Sequence, residues 1–173
     1  MSETTYLLDT NTLIAPHRRY YRFSFCPGFW SFLQLQFEHR ESTSILKVYN
    51  EIVRNSDLLS DWLKTELDKK LFIDEAHDDS TVSRYDDVAT WVMGNDQFYD
   101  SAKRDFLRVE AADPWLCAYA AVYGLTVVTE EVTRPDAHNR VSLANVLDQF
   151  NVPYIGIFDY LERQQAKFVM AQQ

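Results

Sequence analysis

The stretch EAADPWLCAYAAVYGLTVVTEE (residues 110–131) decides the fold. Its first half is alanine-rich, with Leu116, Ala120 and Ala121 spaced to face a core and Pro114 suited to the first helical position. Asp113, just ahead of that proline, has the marks of an N-cap, and capping alone would account for it. Gly124 is a natural helix stop, because glycine takes the left-handed conformation without steric cost. Beyond it the run LTVVT (residues 125–129) is a short buried strand ending in Thr129, Glu130 and Glu131. A helix that feeds such a strand is the signature of a parallel α/β sheet.

Working outward, a matching strand lies at the N-terminus, where Tyr6, Leu7 and Leu8 run directly into Asp9 and the polar trio Thr10, Asn11 and Thr12. Residues 26–40 carry Phe29, Phe32, Leu33 and Phe37 at helical spacing behind Pro27. Residues 42–55 place Ile45, Val48, Tyr49, Ile52 and Val53 on one stripe, with Glu51 beside it and Ser42 or Ser44 available as a cap. Further amphipathic segments follow over 56–67, 81–93 and 96–107. VSLANVLDQF (141–150) then leads to a second late strand, VPYIGIF (152–158), and a closing helix spans about 159–169. The expectation is a three-layer α/β/α sandwich around a central parallel sheet.

At 173 residues, 46% hydrophobic and 14% aromatic, the chain is sized for one domain spanning 1–173. No run approaches the ~18 apolar residues of a membrane span, and MSETTYLL lacks the pattern of a secretory signal. Cys26 and Cys117 form no disulfide framework, so they read as inert, buried fillers in a soluble, cytoplasmic chain. The net charge of −9 argues against a binder that relies on broad phosphate neutralisation. It is compatible with an acidic site in which metal ions supply the positive charge.

Four acids fit such a site. If the first strand and strand 125–129 lie side by side, Asp9 and Glu130–Glu131 emerge at strand carboxyl ends, where open α/β sheets bind ligands. Asp113 and Glu51 sit at the start of one helix and the edge of another. Taken singly, Glu51 reads as a solvated edge residue and Glu130–Glu131 as turn charges. Gathered together they oppose each other's ionisation, and a divalent cation is the natural compensation. Hard oxygen donors select Mg²⁺ or Mn²⁺, which polarise phosphodiesters. His17, His39, His77 and His138 lack zinc-ligand spacing, and the pairs Asp78–Asp79 and Asp86–Asp87 read as capping and surface charge. Without a glycine-rich phosphate loop, a small-molecule phosphohydrolase has no support. Arg18, Arg19 and Arg22, interleaved with Tyr20 and Tyr21, either touch phosphates and stack on bases or form an ordinary basic loop over core aromatics.

YLLDTNTLI, VYNEIV, ADPWLCAYA and VVTEE occur in the order in which PIN-like nuclease domains carry their acids, and the chain resembles that superfamily from about Tyr6 to Leu161. Within it, YYRFSFCPGFW and ADPWL followed by the VVTEE strand end resemble the DUF4411 family. The resemblance implies a metal-dependent ribonuclease acting on RNA, often the toxin partnered by an antitoxin protein. It assigns Asp9, Glu51 and Asp113 to catalysis and metal binding, with Asn11 and Thr129 as supporting polar residues. The superfamily's fourth acid falls two residues after the threonine, at Glu131, with Glu130 as the other candidate. A glutamate there in place of aspartate motivates the alternative of a catalytically silent module that binds RNA or a protein partner. Aromatics near residues 20–30 would also permit a homodimer.

Overall fold

The structure, a computed structural model, describes residues 5–169; residues 1–4, where the N-terminal stretch read above begins, and 170–173 lie outside that range. Strands β1 (Tyr6–Leu8), β2 (Ser42–Thr43), β3 (Thr126–Val128) and β4 (Tyr154–Ile155) form one parallel sheet in the order β2-β1-β3-β4. All three residues of β1 are buried although they alternate between the two faces, so helices must cover both. The result is a three-layer α/β/α sandwich.

The helices are α1 (Asn11–Ala15), α2 (Pro27–Glu38), α3 (Leu46–Val53), α4 (Leu58–Glu66), α5 (Asp79–Gly94), α6 (Asp100–Phe106), α7 (Asp113–Tyr123), α8 (Leu143–Gln149) and α9 (Ile157–Arg163). A π-helical turn, Pro16–Tyr20, continues α1. Local signals explain several boundaries. Pro27 opens α2, Asp57 accepts from Ser60 N at the start of α4, and Gly124 closes α7 with φ +66°. Asp78 caps α5 by accepting from Ser80 N, in keeping with the capping role expected for it.

From β1 the chain moves outward to β2, and from β3 it moves outward the other way to β4. The order therefore reverses between β1 and β3, which is the point at which open parallel sheets form their ligand crevice. The ladder continues one residue past the strands: Asp9 N donates to Val128 O at 3.0 Å and Thr129 N to Ile155 O at 2.9 Å. Backbone pairing thus sets Asp9 and Thr129 beside each other at the head of the crevice.

Several details depart from the sequence reading, among them the late strand expected over 152–158, which keeps only Tyr154–Ile155. Ser42 and Thr43 form a strand rather than the start of a helix, and α3 begins only at Leu46. Neither Ser42 nor Ser44 caps it. The Leu46 N–H donates instead to Ile73 O at 2.8 Å and to the buried Glu75 carboxylate at 3.1 Å, while Ser44 Oγ donates to Leu8 O. A two-residue strand has no periodicity to read, and a cap 29 residues away leaves no local trace. At the other end of the chain, α9 starts at Ile157 and stops at Arg163 instead of spanning 159–169; Gln165, with φ +53°, lies just beyond its end. Cys117 is buried as expected, but Cys26 is only half-buried.

Candidate functional site

Asp9 is carried past β1 into the interior and is almost wholly buried. Its Oδ2 accepts from Thr129 Oγ1 at 2.8 Å. Its Oδ1 is buried with no hydrogen-bond partner among the described residues. Natural proteins rarely leave a buried carboxylate oxygen unpaired, because the desolvation cost is then uncompensated. Burial pushes the Asp9 carboxyl from 3.8 up to about 7; the Thr129 hydrogen bond works against this, and the charges of Glu131 and Glu51 add to it.

Asp113 stands in the first turn of α7, but not as a cap: the capping position is Ala112, and no side chain bonds there. With the expected capping role gone, its setting needs another explanation. Burial raises its carboxyl well above the usual range. The charges of Asp9, Glu131 and Glu51 act in the same direction, and Arg140 partly offsets them. One edge of Asp113 opens on a cavity of about 350 Å³ that also reaches Arg108, Asn139 and Arg140.

Glu51 is a bridge. One of its oxygens accepts from Thr10 Oγ1 at 2.6 Å and the other from Ala112 N at 3.1 Å. One helical turn earlier Lys47 Nζ donates to Val109 O at 2.7 Å. Residues four apart share a helix face, so Lys47 and Glu51 together clamp the turn that leads into α7 and fix where Asp113 stands.

The acids after β3 are committed elsewhere. Glu130 accepts from Ile157 N at 2.7 Å, at the start of α9. Glu131 accepts from Leu143 N at 2.7 Å and Ser142 Oγ at 2.9 Å, at the start of α8, and is ion-paired with Arg140. Their extra methylene lets them reach helix N-termini, whose unpaired N–H groups and positive dipole end favour a carboxylate. Glu131 therefore borders the two aspartates electrostatically without offering them a free oxygen.

Of the supporting residues, Thr129 holds Asp9 as expected. Asn11 is exposed on α1 and makes no hydrogen bond to the acids; Thr10 takes that part through Glu51. Thr10 escaped the sequence reading because a threonine in a polar trio has no pattern of its own. Arg18 and Arg22 border a separate depression of about 310 Å³ with His17, Phe23 and Leu58, while Arg19 is exposed on the π-helical turn. Tyr21 and Phe23 are stacked on Phe29 and Trp30, so much of that aromatic stretch serves the core.

No group of three or more His, Cys, Asp or Glu side chains among the described residues is arranged to hold a metal ion. What the site offers is the unpaired oxygen of Asp9 together with Asp113, whose carboxylate makes no hydrogen bond among those residues. Two carboxylates with water and phosphate completing the shell is the ligand set Mg²⁺ commonly takes, so the donors fit such an ion.

Fold and site define an α/β/α domain with a buried aspartate, Asp9, and a half-buried one, Asp113, at the switch point of a parallel sheet. The model of the family described as a domain of unknown function (DUF4411) matches residues 6–168, and the chain belongs to that family. No curated protein and no solved structure matches it.

Proposed function

We propose that the protein is a Mg²⁺- or Mn²⁺-dependent ribonuclease of the PIN-like kind. The observation that carries this reading is the buried, unpartnered Oδ1 of Asp9 next to a second raised carboxylate, Asp113, at the crevice between β1 and β3. Asp9 and Asp113 would hold the ion. When bound, it supplies the positive charge that polarises a phosphodiester and eases ionisation of water. Thr129 fixes the orientation of the Asp9 carboxylate, and Glu51 fixes Thr10 and the start of α7, so both ligands are set before substrate arrives. Partnership with an antitoxin protein rests on the family likeness read from the sequence and belongs to the same proposal.

A silent PIN-like module is the second reading. It is favoured by the internal engagement of Glu51 and Glu131, which leaves two free acids rather than four. Calorimetric titration with Mn²⁺, followed by cleavage of a mixed RNA pool, separates the two. The nuclease reading expects binding and cleavage in the wild type and loss of both in Asp9→Asn. Absence of Mn²⁺ binding by the wild type at millimolar metal would leave the silent module.

A further inference from the structure

The cavity beside Asp113 is floored by α6, through Ala102, Asp105 and Phe106, and the two loops that close it are both pinned. One is the turn ahead of α7, held by Lys47 and Glu51, which carries Arg108. The other is the long loop between β3 and α8, residues 129–142, which carries Asn139 and Arg140. Loops of about 12–15 residues or more with no secondary structure of their own are uncommon and are usually functional. This one is tied down with unusual care. The Gln97 side-chain amide donates to Pro135 O at 2.9 Å, Ala137 O at 3.0 Å and Arg134 O at 3.4 Å. His138 Nδ1 meets Gln97 O at 2.6 Å, and Tyr99 N donates to His138 O. Asn145 accepts from Arg134 N and donates to Arg134 O. The loop delivers one cation, Arg140, to the cavity, where Glu131 holds one of its terminal nitrogens.

Arg140 makes no other hydrogen bond among the described residues, so most of its five N–H donors are free. The guanidinium fork matches phosphate oxygens better than any other side chain. A chain of net charge −9 also needs a local cation if an anionic strand is to approach its acids. We propose that Arg140, aimed by Glu131 and carried on the Gln97-pinned loop, grips a backbone phosphate of the RNA strand in the cavity beside Asp113. Glu131 is then a positioning residue for Arg140 rather than a metal ligand. This proposal rests on the ribonuclease reading for its choice of ligand.

The test is fluorescence anisotropy with a short fluorescein-labelled single-stranded RNA, across a salt series, in the full chain carrying Asp9→Asn so that cleavage does not interfere. Adding Arg140→Ala should weaken binding about tenfold and reduce the slope of log affinity against log salt by ~0.7, the loss of one phosphate contact. Arg140→Lys should restore the slope but only part of the affinity, since it keeps charge without the fork. Gln97→Leu, which leaves Arg140 in place but frees its loop, should also weaken binding. Melting temperatures of all variants report on folding. Unchanged affinity and slope in Arg140→Ala would overturn the proposal, as would no RNA binding before that substitution. Cleavage of the same RNA by the wild type with Mn²⁺ is scored separately: cleavage with an indifferent Arg140 overturns this proposal alone, and Arg140-dependent binding without cleavage overturns the nuclease reading alone.

Discussion

The sheet has a buried polar cluster at each end, and the two are built on opposite terms. At the amino ends of β1 and β2, Ser42 Oγ meets Tyr160 OH at 2.7 Å and reaches Gln36 Oε1 at 3.3 Å, and Gln36 Nε2 donates to Glu41. Burial pushes the Tyr160 hydroxyl above its usual range and keeps it neutral. Everything there is uncharged at the centre and paired. At the carboxyl ends, Asp9 and Asp113 are carboxylates held against their own ionisation, and one oxygen has no partner. The first arrangement is what a fold does to hold itself together. The second carries a stability cost whenever the acids ionise, a feature more common at functional sites than in cores.

The contrast can be broken most sharply by one substitution at each end. Asp113→Asn should lower Mn²⁺-dependent RNA cleavage at least about a hundredfold, removing about 3 kcal/mol of transition-state stabilisation, with the melting temperature kept or raised. Tyr160→Phe should do the reverse, costing about 1 kcal/mol through the lost hydrogen bond to Ser42 while cleavage persists. Thermal melts beside cleavage assays on both variants decide this, and a shared phenotype would erase the distinction.

A smaller effect separates the ends by pH. The Asp9 carboxyl is raised from 3.8 to about 7 by burial, so the folded state holds that proton more tightly than the unfolded chain. Its contribution to stability is full below 3.8 and is lost as pH rises through about 7. In EDTA, Asp9→Asn should therefore melt several degrees above the wild type on the alkaline side of pH 7 and show no such advantage below pH 4. Mn²⁺ should close the alkaline gap by binding the folded wild type. Equal melting at both extremes would mean that Asp9 is solvated. Least of all should change with Asn11→Ala: stability within about 0.5 kcal/mol and unaltered cleavage. A large loss of cleavage there would restore the supporting role expected from the sequence.

What was legible followed from the range of the signals. β1 and β3 were plain because apolar runs ending in polar residues are local, and their adjacency followed from the economy of parallel α/β sheets. Asp9, Thr129 and Asp113 could be singled out because they lie where strands and helices begin or end. The partners of the long acids could not be read. Whether Glu131 faces a metal or the Leu143 N–H depends on how α8 docks, and the same holds for Glu130 and α9. Thr10 and Gln97 act through carbonyls and carboxylates many residues away, and no spacing rule connects them in advance.

The brevity of the outer strands has one more consequence. β2 and β4 are two residues each, and the outer side of the chain at β2 is closed by residues 71–73: Thr43 Oγ1 donates to Leu71 O, and Ile73 N donates to Ser44 O. Exposed strand edges are the templates on which chains add to one another and grow into fibrils. Here a neighbouring molecule finds almost no ladder to extend, so the aggregation hazard inherent in an apolar parallel sheet is removed by shortening the edges until nothing can be copied.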